Sequence, residues 1–224
     1  MLYVVATPIG NLEDITFRAI NILKNVDLIA CEDTRTSQVL LNHYDVKKPL
    51  LSFHSHSGLT KIDKIITELK SGKKVALISD AGTPGISDPG YVLVREAILQ
   101  NIEVVPIPGV TAFTTALMAS GMQTNHFLYL GFLPLKKGRQ TIFNLLVDRK
   151  KSKLSETVVI YESVHRILKT LKEIGEYFGN EHKIVVAREL TKKFEEFIRG
   201  DILEVLDYFE KNSGKVKGEF VILF

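Results

Sequence analysis

Five short segments hold residues whose types and spacing could do chemistry. EDTRT is the most chemical, with Glu32, Asp33 and Arg35 directly after an apolar run. Its carboxylates and guanidinium could orient a polar substrate. The plainer reading is a surface ion pair, with Thr34 or Thr36 capping a helix. HSHSG (54–58) sets His54 and His56 two apart, so both would point the same way from a strand. Metal binding needs more ligands than two histidines, and Cys31 reads as core, so no metal is expected. SDAGTPGISDPG (79–90) packs three Gly, two Pro and two Asp into twelve residues. That density of backbone punctuation excludes helix and strand. It leaves a long turn or a binding surface built of main chain. TPIGNLED (7–14) and PGVTA (108–112) are of similar make. None of the five matches GxGxxG or GxxxxGK[ST], so dinucleotide and P-loop readings lose their usual support.

Each of these segments follows a short apolar, β-branched run: LYVVA (2–6), VDLIAC (26–31), LLSFH (50–54), KVALIS (74–79) and EVVPI (103–107). Helical patterns at 15–24, 36–44, 59–72 and 91–101 lie between the runs. Strands alternating with helices predict a largely parallel α/β sheet. All five loops then lie on the carboxyl-end rim, where ligands bind in such sheets. The second half predicts strands at 127–133, 156–162, 182–189, 194–200 and 218–224. Its helices fall at 110–120, 138–148, 163–178 and 201–212. The late strands lack a long helix between them, so a mixed sheet is expected. We divide the chain into α/β domains at 1–112 and 113–224.

The 224 residues, 45% hydrophobic and 25% charged, suit a globular protein with a real core. A lone cysteine rules out an internal disulfide and fits a reducing compartment. MLYVVATPIG lacks a basic leader region, and Pro106, Pro108 and Gly109 break the longest weakly polar stretch. We therefore expect a soluble, cytoplasmic protein without a membrane span. The net charge of +3 is uneven. Segment 136–153 holds Lys136, Lys137, Arg139, Arg149, Lys150, Lys151 and Lys153 against Asp148 alone. One strongly basic segment on a slightly acidic body predicts a local polyanion contact. The plainer reading is a solvated helix packing Ile142, Phe143, Leu145, Leu146 and Val147 on one face.

TPIGNLEDIT, ACEDTRTS, SDAGTPGISDPG, PGVTA, GFLP, YESVHRI, ARELTKKFEE, RG and KGEF run in order over most of the chain. As a set they closely resemble the tetrapyrrole methylase family of S-adenosylmethionine (SAM)-dependent enzymes. Within it they resemble the branch that methylates a cytidine ribose 2′-OH in 16S ribosomal RNA. The resemblance implies two α/β domains with SAM in the cleft between them, in a homodimer. It implies cofactor contacts at Pro8, Ile9 and Gly10, at Asp80, Ala81, Gly82, Thr83, Ser87 and Asp88, and at Thr111 and Ala112. Tyr161, Leu190 and Gly218 complete that set from the second domain. Two segments depart from the family pattern: Val164 stands where YESPHR is usual, and HSHSG replaces an HEHN-like segment.

For methyl transfer to a ribose 2′-OH, alignment supplies much of the rate, and a base or cation assists. Asp33, Arg35, His54, His56, Glu189 and Lys192 are candidates. Asp33 with Arg35 is favoured, with Lys192 as an electrostatic helper; alignment alone is the alternative. The basic segment would bind RNA phosphates, and His165 and Arg166 could clamp a splayed nucleotide or merely open a helix. The competing functions are a tetrapyrrole methyltransferase of the same family and a non-catalytic RNA-binding assembly protein.

Overall fold

A computed structural model of the chain describes residues 1–53, 59–151 and 156–224. Two compact units form, Met1–Thr111 and Ala112–Phe224. In the first, β1 (Leu2–Val5), β2 (Leu28–Cys31), β3 (Leu50–Ser52), β4 (Val75–Leu77) and β5 (Val104–Ile107) make a parallel sheet in the order β3-β2-β4-β1-β5. Neighbouring residues of one strand serve opposite faces, as the two-residue period demands. Ala76 and Ile78 pack with α1 (Phe17–Asn25) and α2 (Thr34–His43), through Leu23 and Leu41. Val75 and Leu77 pack with α3 (Leu59–Lys70) and α4 (Gly90–Leu99), through Ile65 and Leu93. Parallel strands buried on both faces must be apolar throughout, which is why these runs were legible in the sequence.

The second unit opens with α5 (Ala112–Ser120). It continues β6 (Phe127–Phe132), α6 (Arg139–Lys151), β7 (Thr157–Ser163), α7 (Ile167–Phe178), β8 (Lys183–Arg188), β9 (Glu196–Asp201), α8 (Ile202–Lys211) and β10 (Glu219–Leu223). The sheet order is β6-β7-β10-β8-β9, with β6 and β7 parallel and the other pairings antiparallel, so the sheet is mixed as expected. Helices α6, α7 and α8 cover one face through Phe143, Leu171 and Val205. Where one helix was expected over 163–178, Ser163 ends β7, a turn follows, and α7 starts only at Ile167. Among the described residues no helix is long and apolar enough to cross a membrane.

A polar chain threads the α6–α7 side of this unit. Arg139 is only 6% exposed; it donates to Glu173 and Thr170 and to the carbonyl of Pro134. Thr170 donates onward to Glu162, which also pairs with Arg166. Arg166 in turn donates to the carbonyl of Leu133. Two arginines thus hold consecutive carbonyls of the GFLP turn. The expected RNA contact at Arg139 is therefore corrected: its donors are spent inside the fold. Removing one partner of a buried ion pair costs about 3–5 kcal/mol because the other charge stays buried. Arg139→Ala should lower stability by that order, read as a shift of the urea unfolding midpoint.

Candidate functional site

The loops after β1, β4 and β5 are stitched into one rim. Thr7 and Gly82 form an isolated antiparallel bridge, each amide donating to the other's carbonyl at 2.8 and 3.1 Å. The Gly82 carbonyl also accepts from the hydroxyls of Thr7 and Ser79. Gly82 has φ of +82°, and a side chain there would press on Ile9. Thr83 donates to the carbonyl of Val110 and shares a 2.8 Å hydrogen bond with Thr111, tying in the β5 loop. A Cβ on Gly109 would meet Ala6 at 2.8 Å, so that position is closed to larger residues. Pro8 and Ile9 are buried, while Gly10, Asp80 and Ala81 face outward. Asp88 is spent on the loop itself, accepting from the amides of Gly85 and Gly90 at 2.7 and 2.6 Å. Ser87 sits in the left-handed region at φ 60°.

Beside this rim the β2 and β4 connections diverge to opposite faces of the sheet, the arrangement that opens a ligand crevice. A cavity of about 440 Å³ lies there, lined by Glu32, Asp33, Thr34, Arg35, Ser52 and Asp80. The Asp33 amide donates to Asp80 across it at 3.0 Å. Adjacent carboxylates are driven apart. Asp33 accepts hydrogen bonds from the Arg35 side chain and amide, which hold it down at about 2. It is also the N-cap of α2, while Arg35 is nearly fully exposed. Burial, then the charges of Asp88 and Asp80, push Glu32 up to about 7. One Glu32 oxygen, Oε1, is buried without a hydrogen-bond partner. His54 and His56 lie outside the described residues. Cys31 is core, as expected, and burial raises its thiol.

In the second unit β6, β7 and β8 end on a common rim. Tyr161 accepts the amide of Phe113 at 3.1 Å, supplying a partner to the first turn of α5 beside Ala112. Burial, with Tyr129 close by, pushes its phenol up. Leu190 is buried, and a Cβ on Gly218 would collide with the Glu189 carboxylate. Lys192 bridges Glu189 and Glu219 at 3.0 Å each. Partial burial alone would lower its ammonium, but the two carboxylates outweigh that and hold it above its usual range. Its charge is balanced locally, which weakens the helper role expected for it.

The basic segment is not one patch. Lys136, Lys137 and His165 are exposed on the carboxyl-end rim, where Arg166 is half-buried and paired with Glu162. Helix α6 carries Arg149, Lys150 and Lys151 about 18 Å away, at 1.5 Å per residue. There Arg149 pairs with Glu156, and Lys151 with Asp148. Lys150 stands 3.0 Å from His182, beside a separate cavity of about 630 Å³ floored by Phe178 and Phe224. Lys153 lies outside the described residues.

The sequence profile of the tetrapyrrole (corrin/porphyrin) methylases matches residues 1–206. The chain belongs to that family. It is 47% identical over 222 residues to a ribosomal RNA small subunit methyltransferase I of Halalkalibacterium halodurans, covering 99% of this chain and 74% of the relative. A protein of the same name from Thermotoga maritima is 47% identical, with 99% and 96% covered. The uroporphyrin-III C-methyltransferase of Thermus thermophilus, solved with S-adenyl homocysteine, is 16% identical and shares the fold at a TM-score of 0.67 over 99% and 96% of the chains.

Of the two acids after β2, the sequence points to Asp33, not to Glu32, as the working carboxylate. Both line the crevice; the Arg35 hydrogen bonds to Asp33 and the burial of Glu32 separate them, and neither can be read from two adjacent acids in a sequence. A carboxyl whose value is raised by folding adds stability below its unfolded value near 4.5. That contribution is lost as pH climbs through about 7. Glu32→Gln should remove this part of the decline, so its stability should fall less than wild type's between pH 5 and pH 8, read by urea unfolding at both.

Proposed function

We propose that the protein transfers a methyl group from SAM to the ribose 2′-OH of a cytidine in small-subunit (16S) ribosomal RNA, as a cytoplasmic homodimer. The observation that carries this reading is the 47% identity, over 99% of the chain, to relatives named for small-subunit ribosomal RNA methylation.

The first unit's rim fits the cofactor by the chemistry of its donor set. Small residues leave main-chain groups open at Gly10, Asp80 and Ala81, and Asp80 adds a carboxylate. A carboxylate and amides suit ribose hydroxyls and an adenine edge. The loops at 7–10, 79–90 and 108–111 contain no lysine or arginine to serve a phosphate, and SAM has none. When bound, SAM supplies an electrophilic methyl group and departs as a neutral thioether. Thr7, Gly82 and Thr83 fix the loops, so little ordering remains to be done on binding.

A neutral 2′-OH is a weak nucleophile, and a base near the working pH serves it best. Glu32, near 7, is matched to that task, whereas Asp33, near 2, is too weak a base. As the C–O bond forms, the hydroxyl proton passes to the Glu32 carboxylate and then to solvent through the crevice. Arg35 stays ion-paired to Asp33 and orients the α2 cap.

Asp80→Ala should weaken SAM binding between about 10- and 150-fold, the range of hydrogen bonds to a charged group. Calorimetry with SAM reads this, and undiminished affinity refutes the placement. The activity itself is tested by mass mapping of ribosomal RNA after incubation of small subunits with labelled SAM. A porphyrinoid is run in parallel. Label in the porphyrinoid alone refutes the RNA reading.

A further inference from the structure

The segment RELTKKFEE joins β8 to β9. Its backbone is unusual. Glu189 and Thr191 both lie in the left-handed region, at φ 51° and 64°, which non-glycine residues seldom adopt. Such strain persists only where the surroundings over-determine it, and here they do. The Thr191 amide donates to Glu195 at 2.6 Å, and the Lys192 and Glu195 amides donate to Glu189 and Lys192 carbonyls. The Glu189 amide donates to Glu219, whose own amide returns to the Glu189 carboxylate. Lys192 locks the base of the loop between those two acids.

All this order presents Lys193, Phe194 and Glu195 outward, with Glu195 accepting the Thr191 amide. Phe194 is 64% exposed, and the Lys193 ammonium lies 5.7 Å over its ring. A lone exposed phenylalanine is ordinary; one held rigidly at the tip of a strained turn beside a cation is not. More of the same chemistry lies along this rim. Phe132 and Leu135 are 54% and 73% exposed at the end of β6, next to Lys136 and Lys137. The Arg139–Glu173 and Arg166–Glu162 pairs hold that turn by its carbonyls. Lys217 is exposed beside Gly218. The rim's acids Glu189, Glu195 and Glu219 are occupied within the fold. In the sheet β6 and β8 are three strand spacings apart, about 14 Å.

Interleaved aromatics and cations on rigid supports are how proteins hold unpaired nucleic acid. We propose that Phe194 stacks on an unpaired base of the substrate RNA and that Lys193, Lys136 and Lys137 engage the neighbouring phosphates. This rests on the ribosomal RNA reading above and names the surface that would receive that substrate. Helix α6's far end, with Arg149 and Lys150, is outside it.

The test uses the full chain and a labelled single-stranded oligonucleotide of small-subunit ribosomal RNA sequence, read by fluorescence anisotropy. Phe194→Ala should weaken binding between about fivefold and 150-fold, with the salt slope unchanged and the thermal midpoint kept. Phe194→Trp should restore affinity. Replacing Lys136, Lys137 and Lys193 by alanine should flatten the slope of log affinity against log salt by about 2. Wild-type affinity in Phe194→Ala overturns the proposal, as does a change in oligomeric mass without loss of RNA binding. Wild-type protein that binds the oligonucleotide but leaves small subunits unmethylated refutes the activity and leaves the surface standing.

Discussion

The bridge between Thr7 and Gly82 is the constraint on which the first unit's rim depends. It joins loops from adjacent strands at their carboxyl ends, where each chain must turn away to its helix. Three donors converge on the Gly82 carbonyl, so the turn has little freedom left. With that carbonyl pinned inward, Asp80 and Ala81 are forced outward. The glycine is required twice over, by a positive φ and by the nearness of Ile9. Asp88 completes the same loop from its far end by capping two of its own amides. The rim is thus organised before any ligand arrives, and binding energy need not be spent on ordering it.

From that order follows the contrast between Glu32 and Asp33. A carboxylate on a flexible loop relaxes toward solvent and titrates normally. Here the crevice walls are fixed. Asp33 is committed to the α2 cap and Arg35, and Glu32 is left with a buried oxygen and two acidic neighbours. Environments that push paired acids apart mark where protons are handled. Neighbours in sequence acquire opposite chemistry because one carboxylate is hydrogen-bonded by Arg35 and the other is partly buried beside acids.

Much of this was legible in the sequence, for definite reasons. Strands buried on both faces must be continuous apolar runs, so β1, β2 and β4 announced themselves. Glycine and proline mark turns by steric necessity, so the loop at 79–90 was visible as a surface. Side-chain commitment was not legible. Arg139 looked like its neighbours Lys136 and Lys137, yet it faces Glu173 across 34 residues of sequence. Asp88 looked like Asp80, yet it serves the loop. Likewise Glu162, Arg166 and Thr170 are drawn into one network around the start of α7. Such pairings are set by tertiary approach, and no local pattern encodes them.

The two units solve different electrostatic problems with the same device, a rim of loops beyond strand ends. In the first, the loops at 7–10, 79–90 and 108–111 are free of cations and offer main chain and carboxylate. That set suits a nucleoside carrying a positive centre and offers no cation to a phosphate. In the second, the acids are tied up and lysines and aromatic rings face out. That set favours a polyanion with stackable bases. One rim carrying both sets would neutralise its own charges before either partner reached it.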